Sequence, residues 1–325
     1  MSSEKNQQEK TRLHPRNRNK ERYDLSALVT STPALKSHII KNKFGAESVD
    51  FSSPLALKLL NTAILNHYYG IKHWEFPDEN LCPPIPGRAE YIHHIADVLA
   101  ENNYGTIPIG NNINCLDVGI GASCIYPIIG TTDYGWNFIG SDINPKSIAS
   151  AKDIISSNAN LKGKIDCRLQ ENANNIFQSI IGKEEKIELT ICNPPFHSSM
   201  EDAQKGTQRK AKDLKGRKEK TPVFNLAGIS KELIYDGGEF QFIENMIYES
   251  KQFAKNCFFF STLVSKQSNL KRIYKILKIT EAKQVKTIPM GTSNKSARIV
   301  VWTFLSMMEQ KEWRESRWNS KQKNL

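Results

Sequence analysis

The residues best suited to chemistry lie between Ile187 and Phe196, reading I-E-L-T-I-C-N-P-P-F. Ile187, Leu189 and Ile191 mark a short apolar strand that two prolines bring to a stop. Asn193, Pro194, Pro195 and Phe196 therefore stand at its carboxyl end, where ligands bind in an open α/β sheet. Each proline fixes its own φ and extends the residue before it. That aims the Pro194 carbonyl beside the Asn193 amide, with a flat face at Phe196. Two acceptors and a ring suit a planar heterocycle carrying an NH2 group. The exocyclic amine of adenine is a poor nucleophile because its lone pair is delocalised into the ring. Acceptors on its two hydrogens favour the state in which nitrogen becomes tetrahedral and attacks an electrophilic carbon. Phe196 would stack on a base taken out of its helix. The plainer reading of four letters is a Pro-Pro turn after a core strand, so the neighbouring elements must decide.

Those elements supply further handles in order. Asn114–Val118 reads as a buried strand, followed by a turn through Gly119, Ile120, Gly121, Ala122 and Ser123. Asp117 is a carboxylate at the strand's end, and the two glycines let backbone approach a ligand closely. The next strand, Asn137 to Ile143, carries Asp142 at its end, 21 positions after Gly121. An acid at about 20 positions is the spacing that grips ribose hydroxyls. Pro145 opens a helix, and a third strand from Lys164 to Leu169 ends in Gln170, Glu171 and Asn172. A helical stretch over 176–181 then leads into the Asn-Pro-Pro-Phe strand. NAD and S-adenosylmethionine both carry an adenosine, so these handles fit either. Cys124 stands where a third glycine would complete the dinucleotide fingerprint, which counts against a pyrophosphate.

Composition bounds the rest. The chain has 325 residues, 39% of them hydrophobic, and a net charge of +11. It has no apolar run near the length of a membrane span and no secretory leader. None of its six cysteines forms a C-x-x-C pair, which points to reduced thiols in the cytoplasm rather than disulfides or zinc. The charge excess favours a polyanionic partner. Residues 1–22 are basic and lack an apolar face; Arg12, Arg16, Arg18 and Lys20 read as an arm on nucleic-acid phosphates or as a solubilising tail. Residues 201–220 carry eight Lys or Arg, among them Lys205, Arg209, Lys210 and Lys212, and read as a basic lid or a solvated linker. From Tyr23 to Tyr104 the apolar spacing is helical, and Arg88 stands near the start of one helix, where the dipole disfavours a cation. Two strands, 284–290 and 297–305, look like a closing hairpin around Gly291–Ser296. Trp313 and Trp318 either stack on bases or, the preferred reading, dock the tail.

Several longer strings carry a family resemblance. They are L-H-P-R-N-R at 13–18, R-Y-D-L at 22–25, I-P-G-R-A-E-Y-I-H-H at 85–94, L-D-V-G-I-G-A-S-C-I-Y-P at 116–127, C-N-P-P-F-H at 192–197 and G-G-E-F at 237–240. The chain resembles the ribosomal RNA large subunit methyltransferase F family from about Leu13 to Leu305. The resemblance implies a Rossmann-like class I methyltransferase fold: an α/β, seven-stranded, mostly parallel sheet with a C-terminal antiparallel hairpin and a helical N-terminal extension. It implies S-adenosyl-L-methionine as donor and an adenine N6 amine of 23S ribosomal RNA, free or in a large-subunit assembly intermediate, as acceptor. By the same resemblance Arg88 and the Gly119–Ser123 turn meet the methionine carboxylate, with Asp117 beside them. Asp142 takes the ribose, Asn172 lies by the adenine, and Asn193–Phe196 hold the target base. The expected layout is a flexible arm at 1–22, a helical segment at 23–104, the catalytic domain at 105–308 and a basic tail at 309–325. A monomer is expected. DNA adenine or protein glutamine as acceptor, and a non-enzymatic RNA-binding assembly factor, stay open as alternatives, since glutamine also ends in an NH2.

Overall fold

The structure is a computed structural model describing residues 13–42, 44–202, 234–290 and 297–318. Seven strands make one sheet: β3 (Asn114–Val118), β4 (Asn137–Asp142), β5 (Ile165–Leu169), β6 (Ile187–Cys192), β7 (Cys257–Val264), β8 (Gln284–Pro289) and β9 (Arg298–Thr303). Their order is β5-β4-β3-β6-β7-β9-β8. Neighbours from β5 to β7 are parallel, and β9 runs antiparallel between β7 and β8, which is the closing hairpin. Its connection at 291–296 and most of the 201–220 segment lie outside the described residues. Every residue of β6 and β7 is buried, as expected for strands covered on both faces.

Helices follow from local signals. Before the sheet come α1 (Leu25–Ser31), α2 (Pro54–Tyr69) and α3 (Ile85–Glu101). Ser53 caps α2 ahead of Pro54, and Gly70 ends it in the left-handed region at φ +68°. Within the sheet come α4 (Ile125–Tyr134), α5 (Pro145–Ser157), α6 (Gly238–Ser250) and α7 (Leu270–Ile279), and α8 (Met307–Trp313) follows it. One core joins α2, α3, α4 and α5 to one face of the sheet and reaches from Leu28 to Trp313. The other face is filled from α6 and α7 through Ile243, Met246 and Ile273, which cluster with Trp302 of β9. The segment 23–104 thus shares its core with the sheet.

Three expectations change, and the C-terminal tail docks as its preferred reading has it. The segment 23–104 also contains an antiparallel pair, β1 (Ile39–Lys41) with β2 (Glu47–Val49), too short to register as periodicity. Residues 176–181 form turns, not a helix; Ser179 takes φ +67°, and the Glu249 carboxylate accepts from the N–H groups of Ile176, Phe177 and Gln178. Residues 13–20 are docked rather than free. Asn17 is fully buried, and its amide donates to Glu90 at 2.7 Å and to the Pro86 carbonyl at 3.0 Å. The His14 N–H reaches the same Glu90 oxygen at 2.7 Å. Polar side chains fill this contact, so the stretch shows no apolar face in sequence. The tail from 307 to 318 is ordered too. Ser306 and Glu309 form a capping box, Trp313 is buried, and both Trp313 and Trp318 pack on Phe258.

Arg317 closes that tail onto the sheet by an ion pair with Glu188, a carboxylate with no exposure. Asn114 N and Trp313 Nε1 donate to it as well. Removing one partner of a buried pair leaves a charge uncompensated. Arg317→Ala should therefore cost about 3 kcal/mol, read as a lowered midpoint in urea unfolding.

Candidate active site

The chain lays β3, β4 and β5 outward in one direction and then returns to place β6 on the other side of β3. A crevice opens where the order reverses, at the carboxyl ends of β3 and β6. The register pairs Val118 with Cys192, so the glycine turn and Asn193 leave adjacent strand ends together. Asp117 lies under this point. It has no exposure, and neither carboxylate oxygen has a hydrogen-bond partner among the described residues. Burial pushes its carboxyl up to about 8; the Arg88 charge opposes this and the Asp142 charge adds to it.

The turn itself corrects one expectation. Gly119 and Gly121 take φ +79° and +63°, and a Cβ at either would meet open space. Their N–H groups, however, are already used. Gly119 and Ile120 both donate to the Ser141 carbonyl at 2.9 Å, and Gly121 donates to Asp142 Oδ2 at 3.0 Å. The glycines supply room and conformation, not donors. Ala122 and Ser123 keep N–H groups that donate to no acceptor among the described residues. Three elements brace the turn. Trp74 Nε1 donates to the Ser123 carbonyl at 2.8 Å, Ser150 Oγ to the Ala122 carbonyl at 2.9 Å, and Cys124 takes φ +52° where α4 begins.

Arg88 sits in the first turn of α3. Its Nη1 donates to the Tyr126 hydroxyl at 2.8 Å and its Nε has no partner among the described residues. Burial pushes the Tyr126 phenol up to about 12 against the pull of Arg88, so the hydroxyl stays protonated. An unpaired buried carboxylate, unclaimed donors at Arg88, Ala122 and Ser123, and an open glycine cradle fit a ligand carrying an ammonium and a carboxylate together. Further along, Asp142 Oδ1 accepts from Asn144 N at 2.8 Å. Asn172 is exposed, and its Oδ1 accepts from Asn174 N at 3.0 Å, leaving its NH2 to face outward. Ile143 and Leu169 are 60% and 41% exposed at the ends of adjacent strands. Two bare apolar side chains there would flank a flat ring. The apolar residue directly after a strand's terminal acid was the signal for Ile143.

Asn193 and Phe196 are half-buried, and Pro194 is buried between them. The backbone ladder between β6 and β7 runs through Ile187–Cys257 and Leu189–Phe259. Beyond it hydroxyls take over. Ser261 N donates to Thr190 Oγ1 at 3.0 Å, and Ser261 Oγ donates to the Thr190 carbonyl. The buried Tyr91 hydroxyl meets Ser261 Oγ at 2.9 Å and accepts from Cys192 N at 3.3 Å. Tyr91 therefore fixes the residue immediately before Asn193. On the far side Tyr235 N donates to the His197 carbonyl at 3.0 Å. Gly238, at φ +68°, packs so close that a Cβ would sit 3.3 Å from Ser198 N. Sequence reading noted the G-G-E-F string and the Tyr91 string without assigning them these tasks.

The expected RNA-binding residues divide. Arg16 bonds Asp97 at 2.6 Å and the Tyr134 hydroxyl at 2.9 Å, and Arg18 pairs with Asp133 at 2.7 Å. Lys20 donates to the Pro15 carbonyl at 3.0 Å. Arg16 and Arg18 thus dock the arm on the fold, each with its side chain still 38% exposed. Arg12, Lys205, Arg209, Lys210 and Lys212 lie outside the described residues.

A family model described as RNA methyltransferase matches residues 7–306. Ribosomal RNA large subunit methyltransferase F of Cytophaga hutchinsonii is 49% identical over 320 residues, 97% of this chain and 99% of that one. The protein of the same name from Photobacterium profundum is 49% identical over 338 residues, 98% and 100% of the two chains. Among solved structures, the human Mettl16 catalytic domain in complex with a MAT2A 3'UTR hairpin is similar with a TM-score of 0.74 at 26% identity, covering 90% of this chain and 96% of that one.

Two predictions rest on this geometry. Asp117 has a folded-state value of about 8 against an ordinary 3.8. Below about pH 4 it is neutral folded or unfolded and costs nothing. Between there and pH 8 only the unfolded chain ionises it, so stability falls as pH rises, at up to about 1.4 kcal/mol per pH unit. Asp117→Asn should flatten that slope, measured as unfolding free energy against pH. Tyr91→Phe should leave the Cys192 N–H buried and unpaired and cost about 1–3 kcal/mol in chemical denaturation.

Proposed function

Since the chain belongs to the RNA methyltransferase family, we propose that it transfers the methyl group of S-adenosylmethionine to the N6 amine of one adenine in large-subunit ribosomal RNA. Its sheet is the Rossmann-like class I methyltransferase sheet, with the C-terminal antiparallel hairpin. One observation carries the proposal. The Asn193–Phe196 segment emerges beside the Asp117–Ser123 turn, so acceptors for an amine stand next to a built cradle for the donor.

When bound, S-adenosylmethionine supplies a methyl group on a positively charged sulfur, which leaves as a neutral thioether. Arg88 with the N–H groups of Ala122 and Ser123 would hold the methionine carboxylate. Asp117 would take its ammonium, and the favourable charge would return this carboxyl to its ionised form. Asp142, whose Oδ2 accepts from Gly121 N and Oδ1 from Asn144 N, would meet the ribose hydroxyls. Ile143 and Leu169 would flank the adenine, with the Asn172 NH2 at its edge.

On the acceptor side, Asn193 Oδ1 and the Pro194 carbonyl would accept the two N6 hydrogens. Holding both turns the nitrogen lone pair out of the ring plane toward the methyl carbon. The nitrogen so held would take the methyl carbon from the sulfur, which keeps the bonding pair, and would give up one proton to water. Phe196 would hold the flipped base by stacking. No strong base is required, and His197, engaged with Asp202 at 3.3 Å, stands aside from the step. The substrate is 23S RNA, free or in an assembling large subunit in the cytoplasm. We take the chain to act as a monomer. No helix among the described residues is long and apolar enough to cross a membrane.

Label from radioactive S-adenosylmethionine should enter large-subunit RNA taken from cells lacking the protein and appear as N6-methyladenosine. Label in DNA or in protein glutamine instead would overturn the substrate assignment. Asn193→Ala should lower turnover by about 100-fold or more, in the range of lost transition-state hydrogen bonds. Its S-adenosylmethionine affinity should stay within a few-fold of wild type, read by calorimetry.

A further inference from the structure

We propose that the exposed face of α7, formed by Lys271, Arg272, Lys275 and Lys278, is a docking surface for RNA phosphates beside the catalytic crevice. The proposal rests on the RNA methyltransferase reading and adds a surface to it.

The helix reads L-K-R-I-Y-K-I-L-K-I and contains no acidic residue. Ile273, Ile276 and Leu277 are buried against the sheet, and the four cations all point outward. Lys271, Lys275 and Lys278 form no ion pair among the described residues. They recur at helical spacing along one stripe about 10 Å long. Two local penalties attend this arrangement. Like charges three or four residues apart repel, and Lys271 and Arg272 stand in the first turn, where the helix dipole disfavours cations. Arg272 stacks on a ring, but no carboxylate among the described residues pairs with Lys271, Lys275 or Lys278, so an external anion is the matching occupant.

The stripe starts at the catalytic rim. Glu239 is buried, and its carboxylate accepts from Ser265 N at 2.6 Å, Lys266 N at 3.2 Å and Asn269 Nδ2 at 2.7 Å. It thereby ties the start of α7 to the G-G-E-F string, whose Gly238 packs on His197–Ser198 directly after Phe196. Arg272 stacks over the Phe240 ring of the same string at 3.4 Å. RNA laid on α7 would thus reach the Asn193 segment at one end. A basic amphipathic helix often lies on a membrane, but here the apolar face is in the core. A phosphate backbone needs only the polar face.

Combined Lys271→Glu, Lys275→Glu and Lys278→Glu substitutions test the surface. The probe is unmethylated 23S RNA from cells lacking the protein, with affinity measured across a salt series. The variant should bind at least about tenfold more weakly, and its log K against log salt slope should shallow by roughly 2–3, near one per phosphate contact. S-adenosylmethionine affinity and the melting temperature should hold. Lys162→Glu with Lys164→Glu, exposed at the opposite end of the sheet, is the control and should bind as wild type. An unchanged affinity and slope in the α7 variant, with wild type active on RNA, overturns the surface alone. Equal losses in the control overturn it too, as a general charge effect. If wild type neither binds nor methylates RNA, both the surface and the functional reading fall.

Discussion

Asp117 is the constraint around which the rest is arranged. An ionised carboxylate deprived of water and of hydrogen bonds costs several kcal/mol, and the protein avoids that cost only by keeping it protonated. Such a group destabilises the empty fold wherever pH favours its charge. Asp117 lies fully buried at the end of β3, between β4 and β6 and directly before the glycine turn, where a cationic ligand group would pair with it. Arg88 supplies the opposite sign across the same space and has no direct contact with Asp117. A ligand with an ammonium and a carboxylate would thus let the neutral Asp117 carboxyl ionise against a cation and give Arg88 an anion.

The second arrangement follows from how β6 ends. A parallel ladder carried to the rim would keep Asn193 in the plane of the sheet. Instead the backbone pairing with β7 gives way after Leu189, and Thr190, Ser261 and Tyr91 take over with side-chain oxygens. Buried hydroxyls are costly unless they are matched, and these three match one another. The prolines then prevent the released strand from continuing as a helix or folding back. Gly238 closes against it from behind, where any side chain would crowd the Ser198 backbone. The acceptor geometry is therefore built from α3, β7 and the start of α6 as well as from the four letters themselves.

Much of this was legible in sequence because the signals were local and coordinated. A strand end followed by glycines, an acid one strand later and a proline-locked strand end each announce their own position. Successive parallel strands then bring those ends to one edge. What was not legible depended on distance along the chain. Tyr91 and Ser261 lie 170 positions apart and look in sequence like a helix residue and a strand residue. Glu188 in β6 resembles an interruption of an apolar strand until Arg317 arrives from the tail. The turns at 176–181 carried apolar residues at helical spacing, but the backbone donors went to Glu249, far downstream, so no helix was needed to satisfy them.

Charge was the least legible property, because a formal count cannot separate cations that hold the protein from cations left for a partner. The basic stretch around Arg16 and Arg18 has the composition of a nucleic-acid arm, yet its guanidinium groups neutralise Asp97 and Asp133 within the fold. Helix α7 has the composition of an ordinary amphipathic surface helix, yet it contains no acid to neutralise its lysines. The difference lies in where the carboxylates are. Asp97 in α3 and Asp133 in α4 are brought under the arm by the fold. No such residue within α7 answers Lys271, Lys275 and Lys278. A net charge of +11 therefore describes the solvent-facing field only after the internal pairs are removed. Among the described residues, Lys271, Lys275 and Lys278 are cations that such a subtraction leaves.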